Sequence, residues 1–205
     1  MLTTRPTRPG GTAGKTDASE GAVLGCLCGG GHNGAVSAGG GFEEWSAPKL
    51  SDTGPAARTA AVRAWLQDVF DAEGPIDEAR LAERAVDRQF ALAKEAVDLV
   101  MSDVARSVPG VDLEVGVDAY EGSLRITVDG SFETPSMMEW ERAEAIAEVA
   151  SYLQAYVCET ARGAWPTCSS HDLGLHATTR DGVAVWLCTA GPHTVTLIGE
   201  LEPSR

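Results

Sequence analysis

Apolar residues recur at helical spacing in two stretches that follow a polar N-terminal segment. The first stretch predicts a helix that has Pro55 in its first turn and stops at Gly74-Pro75. The second predicts a helix from about Asp77 to Ser107, which Pro109-Gly110 ends. Core packing is the simplest explanation for both apolar stripes. The first stripe contains Val62, Trp65, Leu66, Val69 and Phe70, and the second contains Val86, Phe90, Ala93, Val97, Val100 and Val104.

Between Val111 and Val128 the apolar period changes to two, which indicates strands. Because Glu121-Gly122 separates two alternating runs, we predict an antiparallel hairpin with one apolar face against a helix and one acidic, hydrated face. The apolar face contains Val111, Leu113, Val115, Val117, Leu124, Ile126 and Val128, and the acidic face contains Asp112, Glu114, Asp118 and Asp129.

A third helix is predicted from Ser136 to about Arg162. Ser136 and Glu139 have the spacing of a capping box, and Gly163 is a typical residue after a helix end. We expect this helix to bury Ile146, Val149, Ala150, Leu153, Tyr156, Val157 and Thr160.

The C-terminal segment predicts a three-stranded β-meander from about Leu175 to Ile198. Val183–Leu187 and His193–Ile198 have the composition of strands, and Asp181-Gly182 is a hairpin turn signal between the first two strands. Helices, a separate hairpin and a small meander together define an α+β fold, with the helices packed on the antiparallel hairpin.

Composition divides the chain into three parts. Residues 1–50 are rich in Gly, Ser, Thr and Pro, and we predict a disordered leader whose residues before about Ala47 are dispensable for folding. Residues 51–163 form the predicted α+β core domain. Residues 164–205 form the predicted meander, which we expect to dock on the core because the third helix leads almost directly into it.

The leader contains three partial motifs. Gly14-Lys15-Thr16 resembles the end of a P-loop, and the spacing Gly29-x-Gly31-x-x-Gly34 matches a dinucleotide fingerprint. Neither has the flanking strand and helix that aim backbone N–H groups at a phosphate. A metal site made of Cys26, Cys28 and His32 is disfavoured because ordering a Gly-rich segment costs conformational entropy.

The chain is strongly acidic, with a formal net charge of −14 and a pI of about 4.6. This charge argues against direct binding to a nucleic-acid backbone. From Val108 to Trp165 there are eleven Asp and Glu against three Lys and Arg. These carboxylates form either a hydrated surface or a binding surface for a basic partner, a class that includes DNA mimicry.

The five cysteines are an odd number without a secretory signal, and no apolar run approaches the roughly 18 residues of a membrane span, so we expect a cytoplasmic protein.

Cysteine and histidine are concentrated near the C-terminus. Cys168 and His171 form a Cys-x2-His pair, and Cys188 and His193 form a Cys-x4-His pair. Two such turns can offer four sulfur and nitrogen ligands to one zinc ion, and the predicted turn at Asp181-Gly182 brings the two pairs to one end of the meander. The sequence therefore predicts a zinc-ribbon-like meander with a structural zinc.

Other interpretations of these residues remain open. Cys188 is also compatible with simple packing, and the histidines with hydrated loops. Cys168 is a candidate nucleophile with His171 or His176 as its base. His176 is also a reserve ligand in place of His193, and a site with three protein ligands would leave a water position for catalysis.

The C-terminal segment resembles the ends of small uncharacterised proteins from actinobacteria and their phages. This resemblance covers about the last 40 residues and implies a recurring module and a source without implying a reaction. The last ligand position varies in that group, so His193 is the ligand that the resemblance constrains least. The resemblance rests on Trp165, Pro166, Cys168, His171, Gly174, Leu175, His176, Ala184, Val185, Trp186, Cys188, Ile198, Gly199, Glu200 and Leu201.

Two functional classes follow from the sequence. The first is a non-enzymatic interaction or accessory protein, with a structural zinc and an acidic surface for a protein partner. The second is a metal- or thiol-dependent hydrolase that uses the same Cys and His residues. The spacing favours the first, because two ligand pairs close a four-coordinate site and no separate acid–base cluster is evident. On this interpretation, loss of zinc melts the meander while the helical core survives.

Overall fold

The computed structural model describes residues 41–50, 56–120, 123–132 and 139–203. In these ranges the chain forms four helices and eight short strands, which confirms a mixed α+β fold. The helices are α1 (Phe42–Leu50), α2 (Ala56–Glu73), α3 (Glu78–Ser107) and α4 (Arg142–Ala161). The strands are β1 (Val115–Tyr120), β2 (Ser123–Val128), β3 (Ser131–Phe132), β4 (Thr167–Cys168), β5 (Leu173–Gly174), β6 (His176–Arg180), β7 (Val183–Cys188) and β8 (His193–Leu197).

Helices α3 and α4 pack against each other at the centre of the molecule. The sheet β1–β2–β3 contacts α3, and the meander β6–β7–β8 contacts α4. Helix α3 begins where the Asp77 carboxylate accepts the backbone N–H of Arg80 at 2.8 Å, a side-chain N-cap. Helix α4 ends where Arg162 takes the left-handed conformation at φ 54° and its N–H bonds to the last turn. The turn residue is thus Arg162, one position before the predicted Gly163.

The buried face of α3 differs from the predicted stripe in its first half. Val86 is half-buried and Phe90 is 39% exposed, whereas Ala85 and Gln89 are buried. Small Ala85 allows close packing in this region, and the Gln89 amide donates to the carbonyl of Glu139 at 3.5 Å. The second half follows the prediction, because the remaining stripe residues Ala93, Val97, Val100 and Val104 are buried.

The predicted hairpin is present with a shorter first strand. Strand β1 starts at Val115 and pairs antiparallel with β2 in the register Val115↔Val128, while the predicted turn at 121–122 lies outside the described residues. Leu113 precedes the strand and is still buried. The unpredicted third strand, β3, pairs with the end of β2.

Helix α4 starts later than predicted. Ser136 lies outside the described residues, but Glu139 and Trp140 precede the helix, which begins at Arg142. Trp140 is buried against Trp65 with ring centroids 4.9 Å apart, so the chain before α4 contributes to the core instead of extending the helix.

Two apolar clusters lie under these elements. The larger joins α3, α4, the hairpin and the C-terminal strands in one continuous cluster. The smaller joins α1, α2, the first part of α3 and Trp140. The prediction of a disordered leader over residues 1–50 does not hold for Phe42–Leu50. This segment is helical, and its Trp45 is only 4% exposed within the smaller cluster. The leader motifs and residues 1–40 lie outside the described residues.

One glutamine of α4 binds two points of the C-terminal segment. The Gln154 amide donates to the carbonyls of Trp165 and Leu175, both at 2.7 Å. The Trp165-Pro166 peptide is cis, and the Pro166 carbonyl accepts the N–H of Leu175 at 2.8 Å. These contacts place the start of β4 and the start of β6 beside the same turn of α4. Within the described ranges, no helix has the length and apolar character needed to cross a membrane.

Candidate metal centre

The first ligand pair lies on a tight turn between β4 and β5. The carbonyl of Cys168 accepts the backbone N–H groups of His171 and Asp172 at 3.3 and 2.8 Å. Asp172 is left-handed at φ 53°, and Leu173 then returns as the strand partner of Cys168. This turn folds the His171 ring back over the Cys168 sulfur, as the Cys-x2-His spacing predicts.

The second pair lies across a hairpin. Cys188 and His193 are directly opposite each other in the β7–β8 register, joined by residues 189–192. Residues that pair directly across antiparallel strands point to the same face. The hairpin thus presents the Cys188 sulfur and the His193 ring together.

The four ligand atoms converge. Cys168 Sγ lies 3.5 Å from His171 Nδ1 and 3.7 Å from His193 Nε2. Cys188 Sγ lies 3.3 Å from His171 Nδ1. All four ligand atoms fall within 4.8 Å of one another, which is close enough to hold one metal ion.

Burial differs between the two ligand types. Cys168 and Cys188 are buried at 2% and 0% exposure, within the larger apolar cluster. His171 is exposed and His193 is half-buried. The sulfurs therefore form the floor of the centre and the imidazoles its rim.

The environment of Cys168 favours its thiolate. Burial raises the pKa of the Cys168 thiol, but hydrogen bonds outweigh burial and lower that pKa from 9.0 to about 6. The bonds come from the backbone N–H of Ser170, from the backbone and side chain of His171, and from the Cys188 side chain. A thiolate near neutral pH is the form that binds a metal.

Gly191 contacts both histidines. Its carbonyl oxygen accepts a hydrogen bond from His193 Nδ1. A β-carbon on Gly191 would lie 3.0 Å from His171 Cε1 and 3.4 Å from His171 Nε2, so the His171 ring packs directly on the glycine backbone.

His176 and the third described cysteine, Cys158, lie outside the cluster. His176 is in β6 opposite Leu187, is exposed, and is not among the four converging ligands, so the structure gives no support to it as the reserve ligand or as the base for Cys168. Cys158 lies on α4, where its sulfur contacts the backbone N–H of Trp165 at 3.3 Å. The Cys158 sulfur thus contacts the backbone at the start of the C-terminal segment.

The sequence analysis did not identify the buried residue of α3 that holds the C-terminal segment beside the centre. Asp103 of α3 is 0% exposed and accepts the indole N–H of Trp186 at 2.8 Å. It also accepts the backbone N–H groups of Gly199 and Leu201 at 2.7 and 2.8 Å. Its only sequence signal is an acidic residue beside Val104 and Val100 on the apolar stripe of α3, a position where charge is rare unless it is paired.

The four carboxylates predicted for the acidic face of the hairpin are all exposed, and one of them also bonds to the backbone. Asp112, Glu114 and Asp118 are exposed, and Asp118 lies opposite Arg125 in the register. Asp129 is exposed as well, but its carboxylate accepts the backbone N–H of Glu114 at 2.9 Å and closes the base of the hairpin.

Comparisons with models of protein families, with curated proteins and with solved structures found no match.

Proposed function

We propose that this protein is a non-enzymatic interaction protein whose C-terminal strands are held together by one structural zinc ion. The observation that carries the proposal is the convergence of Cys168, His171, Cys188 and His193 on one point from two separate hairpins. Two thiolates and two imidazoles are a donor set of closed structural zinc sites.

The separations between donor atoms support tetrahedral coordination. With Zn–S of about 2.3 Å and Zn–N of about 2.0–2.1 Å, tetrahedral geometry places sulfur and nitrogen about 3.6 Å apart. Three of the four sulfur–nitrogen pairs lie 3.3, 3.5 and 3.7 Å apart. A metal ion accounts for the approach of two thiols and two imidazoles to these distances.

A structural role is favoured over catalysis. Four protein ligands fill a tetrahedral sphere, whereas catalytic zinc keeps one position for water or substrate. A thiol nucleophile is disfavoured as well, because Cys168 is 2% exposed, whereas catalytic cysteines are partly exposed to their substrates.

Metal analysis of the purified protein tests the zinc proposal. We expect one zinc per chain by mass spectrometry and an X-ray absorption spectrum that fits two sulfur and two nitrogen neighbours. Replacement by Co²⁺ should give the absorption bands of a tetrahedral S2N2 centre. A metal-free protein with intact thiols, or a spectrum with a water ligand, would exclude the closed zinc site.

Matched variants assign the ligands. Cys168→Ser and Cys188→Ser should each lose the metal, whereas Cys158→Ser should keep it because that sulfur lies outside the cluster. Likewise His193→Ala should lose metal and His176→Ala should not. Retention of zinc in His193→Ala together with loss in His176→Ala would assign the fourth ligand to His176.

The interaction role rests on the exposed carboxylates of the hairpin. Asp118 in β1 and Asp112 and Glu114 just before that strand are exposed on a chain with a net charge of −14. This surface suits a basic protein partner, whose association would be steered by charge and weakened by salt.

Charge-matched variants test this surface. Asp112→Asn with Glu114→Gln should weaken association with a basic partner at low salt and flatten its salt dependence. The control, Glu44→Gln with Asp68→Asn, makes the same change in net charge at exposed positions on α1 and α2. If both pairs of substitutions weaken association equally, net charge alone matters and not this surface. If neither pair changes association, the hypothesis of a partner bound through charge is excluded.

A further inference from the structure

We infer that Gly191 is a positioning residue that sets the ring orientation of both histidine ligands, an inference that rests on the proposed zinc site. Gly191 lies in the loop between Cys188 and His193, and the sequence pattern alone indicates only that it separates these two ligands. Its contacts give it two separate functions, one through its carbonyl oxygen and one through the absence of a side chain.

The carbonyl oxygen selects the ligand nitrogen of His193. A backbone carbonyl only accepts hydrogen bonds, so the His193 nitrogen that faces it, Nδ1, must carry the proton. The neutral ring then has its lone pair on Nε2, which is the atom 3.7 Å from Cys168 Sγ. Hydrogen bonds of this kind to the second ring nitrogen orient metal-binding histidines and raise their basicity.

The missing side chain makes room for His171. Because this ring offers Nδ1 to both sulfurs, its Cε1 and Nε2 atoms face the loop. A methyl group on Gly191 would approach those two atoms to 3.0 and 3.4 Å. Since His171 is on the exposed rim, the ring would relieve the contact by shifting outward by a few tenths of an ångström, which would misalign its Nδ1 with the ligand position.

The primary test compares Gly191→Ala with Gly174→Ala. A β-carbon on Gly174, in β5 of the same segment, would meet only Ala164 Cβ at 3.6 Å, an ordinary contact. We expect Gly191→Ala to lower zinc affinity about 10–100-fold in competition with a chromophoric chelator, the range typical for residues that orient ligands. Gly174→Ala should keep the wild-type affinity. Circular dichroism of the zinc-loaded proteins checks that both variants are folded.

A double-mutant cycle separates the His171 contact from a general effect on the loop. His171→Cys replaces the ring with a short thiol that cannot meet the new methyl group. Gly191→Ala should therefore lower zinc affinity in the wild-type background. In the His171→Cys background the same substitution should change zinc affinity little. An equal loss in both backgrounds would overturn the steric part of the inference.

Nitrogen-15 NMR of the zinc-loaded wild type tests the carbonyl part. We expect His193 to carry its proton on Nδ1 and to bind through Nε2, and His171 to show the opposite arrangement. Binding of His193 through Nδ1 would overturn this assignment. A wild type that binds no zinc would remove the proposed function and this inference together, whereas normal zinc binding with an unaffected Gly191→Ala variant would overturn the role of Gly191 alone.

Discussion

At the scale of single residues, the buried carboxylate of Asp103 has the largest structural role. Its two oxygens accept three N–H groups from the C-terminal segment, and Arg106 Nη1 lies 3.6 Å away. A buried charge is tolerated only when such bonds replace its hydration. Asp103 therefore ties the segment after β8 and the Trp186 indole of β7 to α3, and Cys188 lies two residues further along β7.

Removal of this carboxylate should destabilise the fold strongly. Asp103→Ala leaves three buried donors without an acceptor, and we expect a loss of roughly 3–5 kcal/mol in the free energy of unfolding, measured by urea titration. Asp103→Asn should lose less, because one amide oxygen still accepts. Asp98→Asn on the same helix is the control and should stay within about 0.5 kcal/mol, since its pair with Lys94 is exposed. Equal stability of the Asp103 and Asp98 variants would show that the buried bonds contribute little.

At the scale of elements, α1 is part of the smaller apolar cluster. Trp45 packs on Phe42 and Phe70, with ring centroids 6.3 and 5.5 Å away, and its indole N–H donates to the carbonyl of Ile76 at 3.0 Å. Amphipathicity along α1 is weak, so the helix depends on the aromatic contacts of Trp45 and Phe42 and not on a long apolar stripe.

Replacement of Trp45 should lower the free energy of unfolding as much as replacement of any other large core residue. We expect Trp45→Ala to lower the free energy of unfolding by roughly 3–5 kcal/mol, because it removes a buried indole and leaves the Ile76 carbonyl without its donor. Glu44→Ala, on an exposed position of the same helix, should change stability by less than about 0.5 kcal/mol. A chain that starts at Ser51 should be destabilised like Trp45→Ala; if it melts like the full chain, α1 is dispensable, as expected from composition.

At the scale of the whole molecule, the metal centre and the helical core share one apolar cluster. Cys168 and Cys188 belong to the same cluster as α3 and α4, and the Trp165 and Trp186 rings meet within it at 5.4 Å. The sequence predicts that the meander melts separately from the helical core. Separate melting requires a boundary between the two, and the continuous apolar cluster contains no such boundary.

Removal of metal should therefore shift one cooperative transition. A ligand at 100 times its dissociation constant adds about 2.7 kcal/mol to the native state. For a chain of this size that corresponds to a rise in Tm of about 5–10 °C in zinc relative to chelator. Far-UV circular dichroism and tryptophan fluorescence should give coincident melting curves in both conditions. Two separated transitions in chelator would restore the view that the C-terminal strands unfold alone.

Local pattern was sufficient for the type and order of most elements and for the four ligands. Period-two alternation predicted the hairpin, and the Cys-x2-His and Cys-x4-His spacings predicted Cys168, His171, Cys188 and His193, which converge in the structure. These features depend on neighbours within a few residues, because a tight turn or a hairpin register is set by the residues that form it.

Long-range packing accounts for what the pattern missed. Phe90 has the apolarity of a core residue, yet the buried face at that level contains Gln89, because the chain near Trp140 packs there and supplies a carbonyl for the amide. Trp45 and Asp103 likewise owe their burial to partners far away in the sequence, and hydrophobicity along one segment contains no information about those partners. The ligand pairs are thus products of local spacing, whereas their docking on the core depends on contacts that exist only after the helices and strands have assembled.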